Sequence, residues 1–132
     1  MNAQYPDAAQ VWQRVHPLTP GEVPTLQTLY LELRQDLAFL QSLKRAPALV
    51  KHYTEQQNCL KGLMILSGDR LPKNTPAPFQ DHNLSRCYDH ALRRLSAFQL
   101  RSADPIYGPV FRELAQETQH HCRQIAQLLG SS

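Results

Sequence analysis

Ten prolines and five glycines punctuate this 132-residue chain, and their placing limits what it can become. A proline inside a helix removes a backbone donor and clashes with the preceding turn, so long helices run only where prolines are missing. Four proline-free stretches of helical length remain. Apolar residues recur in them at i, i+3, i+4 and i+7, and no stretch alternates apolar with polar as a half-buried strand would.

The first predicted helix runs from about Thr25 to Lys44, with Leu26, Leu29, Tyr30, Leu33, Leu37 and Leu40 on one stripe, and Pro47 stops it. The second runs from about Ala48 to Leu66, and Gly68 stands where a helix-ending glycine takes a positive φ. Asn83 is a credible N-cap for the third, Leu84 to about Ser102. The segment "ADPIYGP" then turns the chain into the fourth, Val110 to Leu129, closed by Gly130.

Connection lengths predict topology. Short turns join the first helix to the second and the third to the fourth, so each pair should be an antiparallel hairpin. Between the hairpins lies "DRLPKNTPAPFQDHN", whose Pro72, Pro76 and Pro78 forbid a helix. A helix of this length spans roughly 28 Å, and such a linker reaches up to about 50 Å when extended. The linker can therefore cross the length of a bundle. The expected fold class is all-α, a four-helix bundle at 25–130 with a long crossover between helices 2 and 3, the connection that ferritin-like folds use. Residues 1–24, with Trp12 in "AAQVWQRV", are expected to form an N-terminal arm or short helix packed on it.

Composition narrows the function classes. An apolar fraction of 42% with 19% charged residues belongs to a chain that folds rather than to a disordered one. A net charge of +3, without any basic run longer than Arg93-Arg94, gives little support for nucleic acid as a partner. Arg86, Arg93, Arg94 and Arg101 recur at helical spacing on the third helix. They read first as a solvated face with ordinary salt bridges, and second as a contact for phosphate or an acidic partner. Cys59, Cys87 and Cys122 contain no CxxC pair and read as small buried thiols of a reducing compartment. With no membrane-length apolar run and no apolar leader after a basic start, the expected location is the cytoplasm, without a membrane partner.

The fourth helix carries "ELAQETQHHCRQI", in which Glu117 and His120 form a Glu-x-x-His pair. At about 100° per residue, however, the apolar stripe of Phe111, Leu114, Ala115, Cys122, Ile125 and Leu129 is centred near Thr118. Glu117 and His120 then point at water. On the second helix the stripe of Leu49, Tyr53, Leu60, Leu63 and Met64 is centred on Gln56, with Cys59 three residues on. His52 and Glu55 are likewise spaced i, i+3, but Glu55 lies outside the stripe. On the third helix Leu84, Cys87, Leu95 and Phe98 centre on Ala91.

The stretch "FRELAQETQHHC" resembles the fourth helix of the ferritin-like, rubrerythrin-type proteins, particularly small bacterial ones. Their pattern there is Phe-x-x-Leu-Ala-x-x-Glu-x-x-His followed by Ala or Cys. Phe111, Leu114, Ala115, His121 and Cys122 match it. The text "RCYDHALRRLSAFQLRSADPIYGPVF" is also similar to theirs. The resemblance implies a di-iron or di-manganese centre, with a glutamate from each of two helices and a Glu-x-x-His from each of the other two. Such a centre serves oxygen or peroxide chemistry or iron handling.

Carried over residue by residue, the resemblance finds Leu33, Gln56, Ala91 and Thr118 at the four glutamate positions. Cys59 and His121 stand at the two histidine positions. Hard cations need inward carboxylates, and Glu32 and Asp36 lie off the centre of the first helix's stripe. The expectation is therefore a ferritin-like protein that has lost its di-iron site and holds no cofactor. It would serve as a non-catalytic binding or structural module for an unknown protein partner or as a homodimer, with Gln56, Cys59, Thr118 and His121 as vestigial positions. His121 reads first as a hydrogen-bonded core histidine, with a weak mononuclear metal site as the alternative. The competing expectation is a rubrerythrin-like metal-binding protein, an oxidoreductase or an iron or manganese handler. Its ligands would come from Glu32, Asp36, His52, Glu55, Glu117, His120 and His121.

Overall fold

The computed structural model describes residues 23–72 and 83–130, and among these it is helical, with no strand. In chain order the helices are α1 (Leu26–Leu43), α2 (Pro47–Leu66), α3 (Leu84–Arg101) and α4 (Gly108–Gly130). Each predicted helix is present, with ends within two residues of those expected. Apart from Val23 and Pro24, the arm expected at 1–24 lies outside the described residues, as does the part of the linker that holds Pro76 and Pro78.

The chain divides into two compact units, one spanning Pro24–Asn83 and the other containing Leu84–Ser132. In the first, α1 packs on α2. Thr25 caps α1, its Oγ1 accepting a hydrogen bond from the Thr28 N–H at 3.1 Å. The helix ends on Lys44, which takes a left-handed φ of 56°. Pro47 opens α2, where its missing N–H has no helical partner to lose. At the far end Gly68 takes φ 77°, and the N–H of Asp69 donates to the Met64 carbonyl at 2.8 Å while that of Gly68 donates to Ile65 at 3.2 Å. These are the two bonds of a Schellman motif, with the glycine at the predicted position.

The Gln27 side-chain amide donates to the Arg70 carbonyl at 3.1 Å, so the chain leaving α2 lies beside the start of α1. The two helices are antiparallel. All six apolar residues of the predicted α1 stripe are buried, as are Leu49, Tyr53, Leu60, Leu63 and Met64 on α2. Each buried leucine contributes about 1.5–3 kcal/mol by leaving water.

In the second unit α3 packs on α4, and the turn between them is closed by side chains. Both the Ile106 and the Tyr107 N–H donate to Asp104 Oδ1, each at 2.8 Å. The Phe98 and Phe111 rings stack across the turn with centroids 6.2 Å apart, and the Arg101 guanidinium lies 5.9 Å from the Phe111 centroid.

Helix α3 departs from the amphipathic pattern. Between Cys87 and Phe98 only Asp89 and Arg93 are exposed. The solvated arginine face expected here is therefore corrected at Arg94, which is 0% exposed, while Arg86 and Arg101 are half-buried. The reason is register: Cys87, Ala91, Arg94 and Phe98 follow the 4-3-4 spacing of one helix face. None of the described helices is long and apolar enough to cross a membrane.

Candidate functional site

Helix register brings the polar core residues into place, and the two units differ in what they bury. On α4 the turn that buries Thr118, His121 and Cys122 leaves Glu117 and His120 exposed. The Glu-x-x-His pair faces solvent, as the stripe geometry predicts. The Thr118 hydroxyl donates to the Leu114 carbonyl at 2.7 Å, one turn back, which satisfies it within its own helix. At the centre of the α3 stripe stands Ala91, also buried.

The Cys122 thiol is pushed up to about 11, chiefly by burial, with the Arg94 guanidinium pulling the other way. That influence places the positive charge of Arg94 in the electrostatic neighbourhood of Cys122, within the α3–α4 hairpin. A thiol so raised is protonated near neutral pH and is no nucleophile.

In the α1–α2 unit Leu33 and Gln56 are fully buried and Cys59 is half-buried. Glu55 and His52 are exposed. Asp36, expected at the edge of its stripe, is 0% exposed, and Glu32 is half-buried. Among the described residues no three or more His, Cys, Asp or Glu side chains are grouped as they would be to hold a metal ion.

The residues that sequence reasoning undervalued are Asp36 and Arg94. Of the described Asp, Glu, Lys and Arg side chains, these are the ones in the core. Spacing was the available signal: Asp36 continues the line Leu26, Leu29, Leu33, and Arg94 continues Cys87 and Ala91. A charged residue type on such a line normally argues for the surface, and here the periodicity outweighs it.

Two shallow grooves lie near the hairpin turns. One of about 210 Å³ is lined by Gln99, Ser102, Arg112, Ala115, Gln116 and Gln119. The other, of about 310 Å³, is lined by Leu40, Gln41, Lys44, Ala46, Pro47 and Val50.

Comparison with protein-family models, with curated proteins and with solved structures finds no match to this chain.

Proposed function

We propose that this chain is a ferritin-like, rubrerythrin-type four-helix protein whose di-metal centre has been replaced by a metal-free core. In this reading it is a cytoplasmic, non-catalytic module that binds a protein partner or a second copy of itself.

The observation that carries the reading is the burial of Arg94. A guanidinium stays protonated at every accessible pH, so it is a fixed cation inside the same hairpin as Thr118 and His121. Two divalent cations need several inward carboxylates to offset their charge. The four positions that the resemblance assigns to glutamate instead hold Leu33, Gln56, Ala91 and Thr118. Three of these side chains are aliphatic or hydroxylic, and the fourth is a neutral amide. That donor set does not fit a di-iron or di-manganese group. Of the two histidine positions His121 keeps the imidazole while Cys59 offers a thiol, and an imidazole in a core is more often held by hydrogen bonds.

The experiment is elemental analysis of protein purified after growth with iron and manganese, joined to sedimentation equilibrium. Metal far below one ion per chain is expected. Two ions per chain would overturn the reading and return the function to metal handling or oxidoreductase chemistry. Sedimentation then separates the partner classes: a dimer points to a second copy, and a monomer to a different protein.

A further inference from the structure

Two of the three cysteines stand opposite each other in the α3–α4 hairpin. The stacked Phe98 and Phe111 rings fix how the two helices pair. From that rung Cys87 lies eleven residues back along α3, and Cys122 lies eleven residues on along α4. Eleven residues are close to three whole turns of an α-helix, so both cysteines keep the faces on which the rings meet. The rungs between agree with this register: Ala91 pairs with Thr118 and Leu95 with Leu114, and every one of these side chains is buried. Cys87 is 0% and Cys122 1% exposed. Helix axes pack about 8–10 Å apart and each Cα stands about 2.3 Å off its axis, so facing Cα atoms fall at roughly 3.5–5.5 Å. That range overlaps the span of about 4.4–6.8 Å that a disulfide bridges.

Both cysteines are thiols in this structure, and Cys59, half-buried on α2, belongs to the other unit. Among the described residues no third ligand-type side chain joins them as a metal site would need. We propose that Cys87 and Cys122 are a redox pair that closes into a disulfide across the hairpin, with a small disulfide such as oxidised glutathione as the oxidant. Two S–H bonds break and one S–S bond forms, while the oxidant takes up two electrons and both protons and leaves as two thiols. A buried neutral thiol does not attack, so exchange proceeds when the hairpin opens locally. Once formed, the bond clasps α3 to α4 about three turns beyond the Phe98–Phe111 rung.

The full wild-type chain tests it without any substitution. It is equilibrated with a mixture of reduced and oxidised glutathione, once folded and once in concentrated urea, and remaining thiols are blocked with N-ethylmaleimide. Trypsin cleavage after Arg86, Arg93, Arg112 and Arg123 leaves Cys87 and Cys122 on separate peptides, whose linked mass reports the bridge. In urea, loop entropy slightly favours the shorter Cys59–Cys87 loop. In the folded chain Cys87–Cys122 is expected to be the dominant bridge, with an equilibrium constant for its formation about tenfold or more above that in urea. The bridged protein is expected to melt about 5–10 °C above the reduced one. A dominant bridge through Cys59, a smaller gain on folding, or a bridged midpoint no higher than the reduced one overturns the proposal.

Discussion

A Cβ on Gly108 would lie 2.5 Å from the main-chain carbonyl oxygen of Ser102. The last turn of α3 and the first turn of α4 approach this closely because the Asp104 turn folds the chain back at once, with the Gly108 N–H donating to the Asp104 carbonyl at 2.9 Å. A backbone oxygen cannot rotate aside as a side chain can. Gly108→Ala should therefore cost about 1–3 kcal/mol by overpacking, outweighing the helix propensity that alanine adds. Urea unfolding followed by circular dichroism checks it, and an unchanged midpoint would show that the turn can open.

Gly62 and Lys44 predict the opposite sign. Gly62 sits inside α2 with nothing within 4 Å of an added Cβ, so Gly62→Ala should stabilise the chain by about 0.5–1 kcal/mol through the lost freedom of the unfolded state. Lys44 holds a φ of 56°, a conformation that costs a non-glycine residue about 1–2 kcal/mol. Lys44→Gly should recover part of that, again read from the urea midpoint. A fall in stability with Lys44→Gly would mean that its side chain contributes more than its backbone strain removes.

Asp104 gives a test by titration. Its carboxyl is held below the usual value of 3.8, first by the bond from the Tyr107 N–H, then by that from Ile106. A depressed folded value means that the carboxylate contributes stability above pH 3.8, lost as pH falls through the lower folded value. NMR titration of the full chain should give a midpoint for Asp104 below 3.8, with the Ile106 and Tyr107 amide resonances shifting at that same midpoint. Asp104→Ala should abolish both amide shifts and leave the Arg101–Phe111 end of the hairpin more open to hydrogen exchange.

Element boundaries and the apolar stripes were legible in the sequence because proline, glycine and a period of 3.6 act locally. Pro47, Gly68 and the Phe111–Ile125 stripe needed no tertiary information. The inner charges were only half legible, because their spacing argues for the core and their charge for the surface. Arg94 lies one step before Leu95 and three after Ala91, so its register allowed either the core or a half-buried flank, and only three-dimensional packing around α3 decides. Asp36 fails for the same reason. The exposure of Glu117 and His120 followed from the stripe alone, since it depends on α4 and its one packed face.

The last test concerns Cys122, whose thiol burial raises from 9.0 to about 11. In the unfolded chain it ionises near its ordinary value, while in the folded chain it stays neutral for longer. Stability from this group is thus fully present below pH 9 and is lost as pH rises toward 11, at up to about 1.4 kcal/mol per pH unit. Urea midpoints measured from pH 7 to 11 should fall more steeply in the wild type than in Cys122→Ala, which has no thiol to ionise. The same burial orders the reactivity of the thiols. In the folded protein at pH 8, iodoacetamide should label half-buried Cys59 well before Cys87 or Cys122. Equal labelling of all three, or equal pH slopes with and without the thiol, would place Cys122 in a wetter setting than the α3–α4 core.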